Sequence, residues 1–90
     1  MFLILAYDVN SKRVAKYLKW TRKFLLHIQN SVFEGELTES QFKSLQKGIK
    51  RLMNKHKDED SVIIYKFKSK KYFERETMGI EKINMDNFII

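Results

Sequence analysis

The sequence predicts an α+β domain in which two helices lie on one face of an antiparallel sheet. Two apolar runs, Phe2–Asp8 and Ser61–Phe67, have the length and composition of strands and suit burial on both faces. Two stretches with apolar residues at helical spacing lie between these runs, one on each side of an extended segment. A chain of 90 residues is the size of one small domain.

The first of these helical stretches is predicted over residues 11–26, directly after the strand that ends at Asp8. Its apolar face recurs at helical spacing and consists of Val14, Tyr17, Leu18, Thr21, Phe24 and Leu25. The remaining positions are rich in cations, namely Lys12, Arg13, Lys16, Lys19, Arg22 and Lys23. No acidic residue occurs between Val9 and Phe33. The helix is therefore predicted to contact phosphates, and the alternative is a basic face that is only solvated.

The middle of the chain predicts extended structure followed by a second helix. Residues 27–37 form either one bent strand or two short strands, because Gly35 is their only turn or bulge signal. Thr38 followed by Gln41 is the sequence of a capping box, which opens a helix. Gly48 lies inside that helix, where it costs up to about 1 kcal/mol relative to alanine, and so indicates a close backbone contact.

The order of elements is strand, helix, extended stretch, helix, strand and a short terminal strand. This order matches a ferredoxin-like βαββαβ sandwich with an additional C-terminal strand. Residues 1–90 are predicted to be a single domain, with a core at 1–78 and a C-terminal segment at 79–90. That segment ends in Phe88, Ile89 and Ile90, and we expect such an apolar end to dock on the partner of a dimer.

The composition favours a polyanionic partner and excludes several classes of protein. The formal net charge is +7, which is typical of proteins that bind nucleic acid, although the charge alone is also compatible with simple solubility. The absence of cysteine excludes disulfides and thiolate metal sites and favours a cytoplasmic location. No apolar run is long enough for a membrane span, and no secretory leader is recognisable, so no membrane contact is expected.

Asp8 is the candidate chemical centre, because a lone carboxylate ends a central strand at the sheet edge where ligands tend to bind. The alternative is a capping or turn carboxylate before the first helix. Asp60 admits the same two interpretations, and a turn residue is favoured over a metal ligand. Ser31 is a candidate for hydrogen bonding to phosphate or water near Asp8, whereas Phe33 is more typical of a core or dimer interface than of base stacking.

Four stretches of the sequence resemble those of a known family, in the same order and at the same spacing. They are YDV at 7–9, a basic helix with Arg13 and Lys16, QNSVFEG at 29–35 and DSVIIYKF at 60–67. Together they resemble the Cas-two family, the small CRISPR-associated nucleases of the spacer-acquisition machinery. The stretch TMGIEK at 77–82 also resembles the C-terminal part of that family.

The resemblance implies a ferredoxin-like homodimer in which the terminal strand of each chain completes the sheet of its partner. It also implies a metal-dependent endonuclease that acts on single-stranded RNA, double-stranded DNA or both, with Asp8 as ligand of Mg²⁺ or another divalent cation. One carboxylate is a sparse site even for magnesium, which often needs only one or two. A twofold axis near the end of the first strand would pair two Asp8 side chains, and their mutual repulsion would favour a cation between them.

Two further hypotheses remain open at this point. The resemblance also implies a non-catalytic, architectural dimer that binds duplex DNA and bridges dimers of the Cas-one integrase. Such binding is expected to use phosphate contacts from the first helix and Ser31, namely Lys12, Arg13, Lys16, Lys19, Arg22 and Ser31. A stand-alone dimer that binds a small ligand or cleaves RNA as a toxin is a third hypothesis, which the four stretches make less favourable.

Overall fold

A four-stranded antiparallel sheet with two helices packed on one face forms the fold. The structure is a computed structural model that describes residues 1–83. Its elements are, in chain order, β1 (Phe2–Asp8), α1 (Val14–Thr21), β2 (Leu26–Gln29), β3 (Val32–Glu36), α2 (Glu39–Met53) and β4 (Ser61–Phe67). The strands are ordered β2-β3-β1-β4 across the sheet, which confirms the predicted ferredoxin-like sandwich.

The core lies between the sheet and the two helices. Alternate residues of β1 point to the helical side, and Leu3, Leu5 and Tyr7 are accordingly buried there. The ring of Tyr7 lies 5.6 Å from the rings of both Tyr17 and Phe33, measured between centroids. Both of those residues are fully buried, so Phe33 is a core residue, as the sequence favoured.

The opposite face of the sheet is not covered by the helices. Ile63 and Tyr65 of β4 are 52% and 56% exposed, and their cross-strand neighbours Ile4 and Ala6 on β1 are only half-buried. The prediction that β1 and β4 are buried on both faces is therefore wrong for the single chain. The reason is that α1 and α2 both pack on one side, so the apolar residues of the other side have no helix to cover them.

Helix α1 is shorter than the predicted span of 11–26. The backbone N–H of Lys12 donates to the side chain of Asn10 at 2.9 Å, and residues 11–13 form a turn before the helix begins. Beyond Thr21 the chain forms further turns, in which the backbone N–H groups of Phe24 and Leu25 both donate to the carbonyl of Thr21 at 3.0 Å. The apolar spacing that predicted a longer helix thus continues through Phe24 and Leu25, which lie in turns but still face the core.

The extended segment that follows consists of two short strands, which resolves the alternative left by the sequence. β2 and β3 are joined by a tight turn in which Asn30 has φ 41°, a left-handed conformation that asparagine tolerates. The predicted capping box is present at the start of α2. There the N–H of Gln41 donates to the Thr38 hydroxyl at 3.1 Å, and the N–H of Thr38 donates to the Gln41 side chain at 2.8 Å.

The predicted close contact at Gly48 is a contact with Trp20. A Cβ atom at position 48 would overlap the indole ring, so the two helices approach closely only because α2 carries glycine there. The indole Nε1 donates a hydrogen bond of 2.9 Å to the carbonyl of Leu45. The packing of Trp20 against the backbone of α2 explains why this residue lies outside the apolar face of α1.

After β4 the chain returns across the uncovered face of the sheet. Phe73 packs on Phe2, with ring centroids 4.7 Å apart, and Arg75 forms an ion pair of 3.2 Å with Glu34 of β3. The described residues after Phe67 contain one short turn of 3₁₀ helix and no strand, and Gly79 adopts φ 83° in a bend. The expectation of a terminal strand falls largely on residues 84–90, which lie outside the described residues. Within residues 1–83, neither helix has the length and apolar character needed to cross a membrane.

Candidate nucleic-acid and metal site

Asp8 lies at the end of the central strand, on the uncovered face of the sheet. It is exposed, and it alternates along β1 with the buried Tyr7, whose side chain faces the helices. Its cross-strand neighbour on β4 is Ser61. On the other side, the backbone N–H of Tyr7 donates to the carbonyl of Ser31 at 3.1 Å. The predicted site residue Ser31 therefore lies beside the end of β1, on the side opposite β4.

Asp60, immediately before β4, is buried and accepts hydrogen bonds from three different residues. Arg13 donates to both of its carboxylate oxygens, from Nε and Nη2, at 2.7 Å each. The hydroxyl of Tyr17 donates at 3.0 Å, and the backbone N–H of Asn10 donates at 3.2 Å. With its lone pairs engaged by the protein, Asp60 is an anchor rather than the metal ligand that the sequence left as the less favoured alternative.

The same contacts determine the protonation of this buried group. The Arg13 guanidinium, helped by the Asn10 N–H and the Tyr17 hydroxyl, holds the pKa of Asp60 well below its usual range, although burial acts in the opposite direction. Burial, together with the hydrogen bond to Asp60, raises the pKa of Tyr17 to about 12. The network therefore remains an ionised carboxylate paired with a guanidinium throughout the neutral range.

The Asp60 network fixes the surroundings of Asp8 on two sides. Asn10, two residues after Asp8, is held through its backbone N–H, and Ser61, the cross-strand neighbour of Asp8, directly follows Asp60 in the chain. This arrangement fixes the backbone around an exposed carboxylate while leaving the carboxylate itself open to solvent. It also shows a role that the sequence could not indicate, because Asp60 and its partner Arg13 are 47 residues apart.

The basic residues predicted to contact nucleic acid are divided by the structure into three settings. Lys12, Lys16 and Lys19 are exposed. Arg22 is half-buried in the turn after α1. Arg13 is different, because it is bound to Asp60 and also pairs with Glu59 at 2.7 Å. Because two carboxylates balance its charge, the structure favours a structural role for Arg13 over the predicted phosphate contact.

Two concave regions group these cations with residues that the sequence did not single out. The first, of about 320 Å³, lies between the two helices and is lined by Lys12, Arg13, Lys16, Tyr17, Arg51, Leu52 and His56. The second, of about 310 Å³, runs along α1 and is lined by Ala15, Leu18, Lys19, Arg22 and Lys23. Arg51 lies near the end of α2 and His56 just beyond it, and no local sequence signal relates them to the start of α1.

Within residues 1–83, Asp8 is the one candidate ligand at the predicted metal site. Among residues 1–83, no three histidine or acidic side chains lie close enough together to hold a metal ion. The exposed Asp8 carboxylate fits magnesium in its chemistry, because this hard cation prefers oxygen ligands and is often held by one or two carboxylates together with water and phosphate. The remaining ligands would have to come from solvent, from a nucleic-acid phosphate or from a second chain.

Comparison with known proteins identifies the family. Residues 1–75 match the family described as CRISPR associated protein Cas2. The CRISPR-associated endoribonuclease Cas2 of Thermotoga maritima is 48% identical over 89 residues, with 99% of each chain covered. That of Dictyoglomus turgidum is 49% identical over 82 residues, which cover 91% of this chain and 92% of the relative.

Solved structures agree with the sequence relatives. A Cas2 crystal structure superposes with a TM-score of 0.80 at 40% identity, covering 91% of this chain and 90% of the other. Cas2 of Streptococcus pyogenes gives a TM-score of 0.74 at 27% identity, covering 88% of this chain and 100% of the other. On the sequence motifs, the fold and these relatives, the chain belongs to the CRISPR-associated protein Cas2 family.

Proposed function

We propose that this chain acts in CRISPR spacer acquisition as a homodimer with metal-dependent endonuclease activity centred on Asp8. The observation that carries the proposal is the position of Asp8, an exposed carboxylate on the sheet face that the helices leave uncovered. The name endoribonuclease, borne by the relatives from Thermotoga maritima and Dictyoglomus turgidum, supports RNA as a substrate class. Double-stranded DNA is retained as a second substrate, since the cationic surface of α1 suits the phosphates of either nucleic acid.

The uncovered sheet face supports the dimer. This face carries Ile63 and Tyr65 of β4 beside Ile4 and Ala6 of β1. A group of neighbouring apolar residues on a protein surface often marks an interface with a partner. A second copy that packs its own uncovered face here would bury both sets. The same packing would bring the two Asp8 residues towards a common axis, because Asp8 lies on this face at the end of β1.

In such a dimer, different residues bind the metal ion and the nucleic acid. The two Asp8 carboxylates would hold Mg²⁺ or another divalent cation, with water and a phosphate oxygen as further ligands. When bound, such a cation polarises the scissile phosphate and the attacking water. Lys12, Lys16 and Lys19 hold the nucleic-acid backbone by its charge, and the Asp60 network keeps the backbone around Asp8 in place.

A second candidate function is the architectural one, in which the dimer binds duplex DNA and bridges integrase dimers of the Cas-one type without cleaving. Within residues 1–83, Lys12, Lys16 and Lys19 take part in no ion pair, so their charges are available to phosphates. Phosphate contacts of this kind position the nucleic acid without reading its bases. Residues 79–90 are proposed to dock on the other chain of the dimer. The architectural function requires no catalytic residue.

The experiment that tests the catalytic proposal compares wild type with Asp8→Asn, using Asp58→Asn as the matched control. Asp58 is an exposed carboxylate in the turn before β4, so its loss changes the net charge by the same amount. Each protein is assayed for magnesium-dependent cleavage of single-stranded RNA and duplex DNA, and for duplex binding in the absence of magnesium.

We expect Asp8→Asn to abolish cleavage without reducing binding and Asp58→Asn to cleave like wild type. Cleavage by Asp8→Asn at the wild-type rate would exclude Asp8 as the metal ligand. Binding by all three proteins without cleavage by any of them would leave the architectural function.

A further inference from the structure

A cationic cleft lies on the helical side of the molecule, between the start of α1 and the end of α2. Its volume is about 320 Å³, and it is lined by Lys12, Arg13, Lys16, Tyr17, Arg51, Leu52 and His56. We propose that this cleft, referred to below as the α1–α2 cleft, binds a phosphate monoester at the end of a nucleic-acid strand. The proposal concerns a site separate from Asp8 and depends on the proposed function only for the source of the phosphate.

The charge of the cleft determines the class of ligand. Positive charges come from Lys12 in the turn before α1, from Lys16 on α1 and from Arg51 on α2, and none of the lining residues is acidic. Arg13 adds a further guanidinium, whose charge is balanced by Asp60 and Glu59 behind it. Such a lining disfavours a metal ion and an apolar ligand alike. A phosphate monoester carries about −1.5 to −2 charges near pH 7 and offers three acceptor oxygens, so it matches this surplus of donors.

One wall of the cleft is held rigid before any ligand arrives. Arg13 uses Nε and Nη2 to bind Asp60 and Glu59, and among the contacts of the described residues its Nη1 donates to no carboxylate. The Tyr17 hydroxyl is likewise committed to Asp60. A wall that is already fixed in place loses little conformational entropy when a ligand binds against it. Arg13 and Tyr17 therefore shape the cleft, and Lys12, Lys16 and Arg51 supply the charge that binds the phosphate.

The shape of the cleft favours a terminal phosphate over an internal one. An internal phosphodiester carries one charge and continues as a chain in both directions, which suits an open groove better than a recess between two helices. A terminal phosphate carries more charge and has one free end that can enter. The cleft also lies within reach of the Asp8 region, because Lys12 is the fourth residue after Asp8 and four residue steps span at most about 14 Å.

The test measures how much a terminal phosphate contributes to binding. One short single-stranded oligonucleotide is prepared with a 5′-phosphate, with a 3′-phosphate and without a terminal phosphate, and its affinity is measured by fluorescence anisotropy in EDTA. The proteins are wild type, Arg51→Gln, Lys16→Gln and Lys43→Gln. Lys43 is an exposed cation of the same helix as Arg51, eight residues and hence about 12 Å away along the axis, and it does not line the cleft.

For wild type and Lys43→Gln, we expect a phosphorylated end to tighten binding about tenfold, which is the effect of one charged hydrogen-bonded contact. Arg51→Gln and Lys16→Gln should reduce that ratio towards one. The ratio is the informative quantity, because loss of any cation weakens the binding of all three oligonucleotides. A wild-type ratio near one, or a ratio that survives both cleft substitutions, would overturn the proposal.

Competition with adenosine monophosphate and with inorganic phosphate identifies the source of the ligand. If either competes as well as the phosphorylated oligonucleotide, the cleft recognises the phosphate group itself, and a free nucleotide or phosphate replaces the strand end as ligand. Because no divalent cation is present, the result is independent of cleavage. A protein without nuclease activity can therefore still support or overturn the proposal.

Discussion

Arg13 and Asp60, 47 residues apart in the chain, are joined by two hydrogen bonds of 2.7 Å between guanidinium and carboxylate. The carboxylate has no exposed surface, and the pair attaches the turn after β1 to the residue that precedes β4. The backbone next to Asp8 thus depends on a side chain from the other end of the fold.

The pair makes stability depend on pH on the acid side. The pKa of Asp60 is depressed in the folded protein, so its contribution is complete above the unfolded pKa of about 3.9 and is lost as the pH falls towards the folded value. We expect Asp60→Asn to be less stable than wild type at neutral pH and the difference to shrink below about pH 4. Urea unfolding of both proteins from neutral to acid pH measures this. A difference that stays constant across the range would contradict the prediction.

Gly48→Ala is expected to destabilise the protein, although alanine is the better helix former by up to about 1 kcal/mol. The added Cβ atom meets the indole ring of Trp20, which is itself held by its hydrogen bond to the Leu45 carbonyl. Overpacking of this kind costs about 1–3 kcal/mol, so after the gain in helix propensity is subtracted the net loss should be up to about 2 kcal/mol. Thermal and urea unfolding measure it.

A double mutant separates this overlap from any other effect of the alanine. Adding Trp20→Phe removes part of the overlapping ring, so Gly48→Ala should cost less in that background, with a coupling energy of at least about 0.5 kcal/mol. If alanine is tolerated equally in both backgrounds, the close helix contact is not what selects glycine.

Ile63→Asp should dissociate the proposed dimer. Ile63 is 52% exposed on the uncovered sheet face, and a carboxylate there would be buried without a partner when two such faces pack together. We expect the dissociation constant to rise at least about 30-fold, equivalent to about 2 kcal/mol. Gel filtration coupled to light scattering measures it, with Lys43→Asp on α2 as the control. Dimers of equal strength for both variants would place the interface elsewhere.

Duplex binding should depend steeply on salt through the cations at the start of α1. Each phosphate contact that is lost should reduce the slope of log affinity against log salt concentration by about 0.9. Lys12→Gln and Lys16→Gln are expected to show this reduction, and Lys43→Gln to leave the slope unchanged. Titrations of one duplex at several salt concentrations give the slope. Equal slopes for all variants would mean that these lysines are only solvated.

The strands and the cap of α2 were predictable because each depends on neighbours in the sequence. The strands Phe2–Asp8 and Ser61–Phe67 contain the continuous apolar runs 2–7 and 62–65, and Thr38 with Gln41 forms its capping box within a single helical turn. The ends of α1 were not predictable in the same way. Its apolar spacing continues into turns, and the Asn10 side chain begins a turn where the pattern indicates helix.

The candidate site was predictable only where a single residue carries the signal. Asp8 is the last residue of the central strand β1, as its position after an apolar run indicated. The buried role of Asp60 depends on Arg13 and Tyr17, and the α1–α2 cleft depends on Arg51 approaching Lys16. Each of these associations is created by contacts of α1 and the turn before it with α2 and with the residue that precedes β4, and leaves no mark in the local sequence.

The presence of a single candidate metal ligand, Asp8, in each chain has a consequence for mixed populations. If the two Asp8 groups of a dimer form one centre, a chain that carries Asp8→Asn disables any wild-type chain with which it pairs. Random exchange between equal amounts of the two chains would then leave about a quarter of the dimers active, whereas independent centres would leave about half of the activity. With a shared centre, an allele that encodes Asp8→Asn would be dominant, because the substituted chain would still fold and form dimers with wild-type chains.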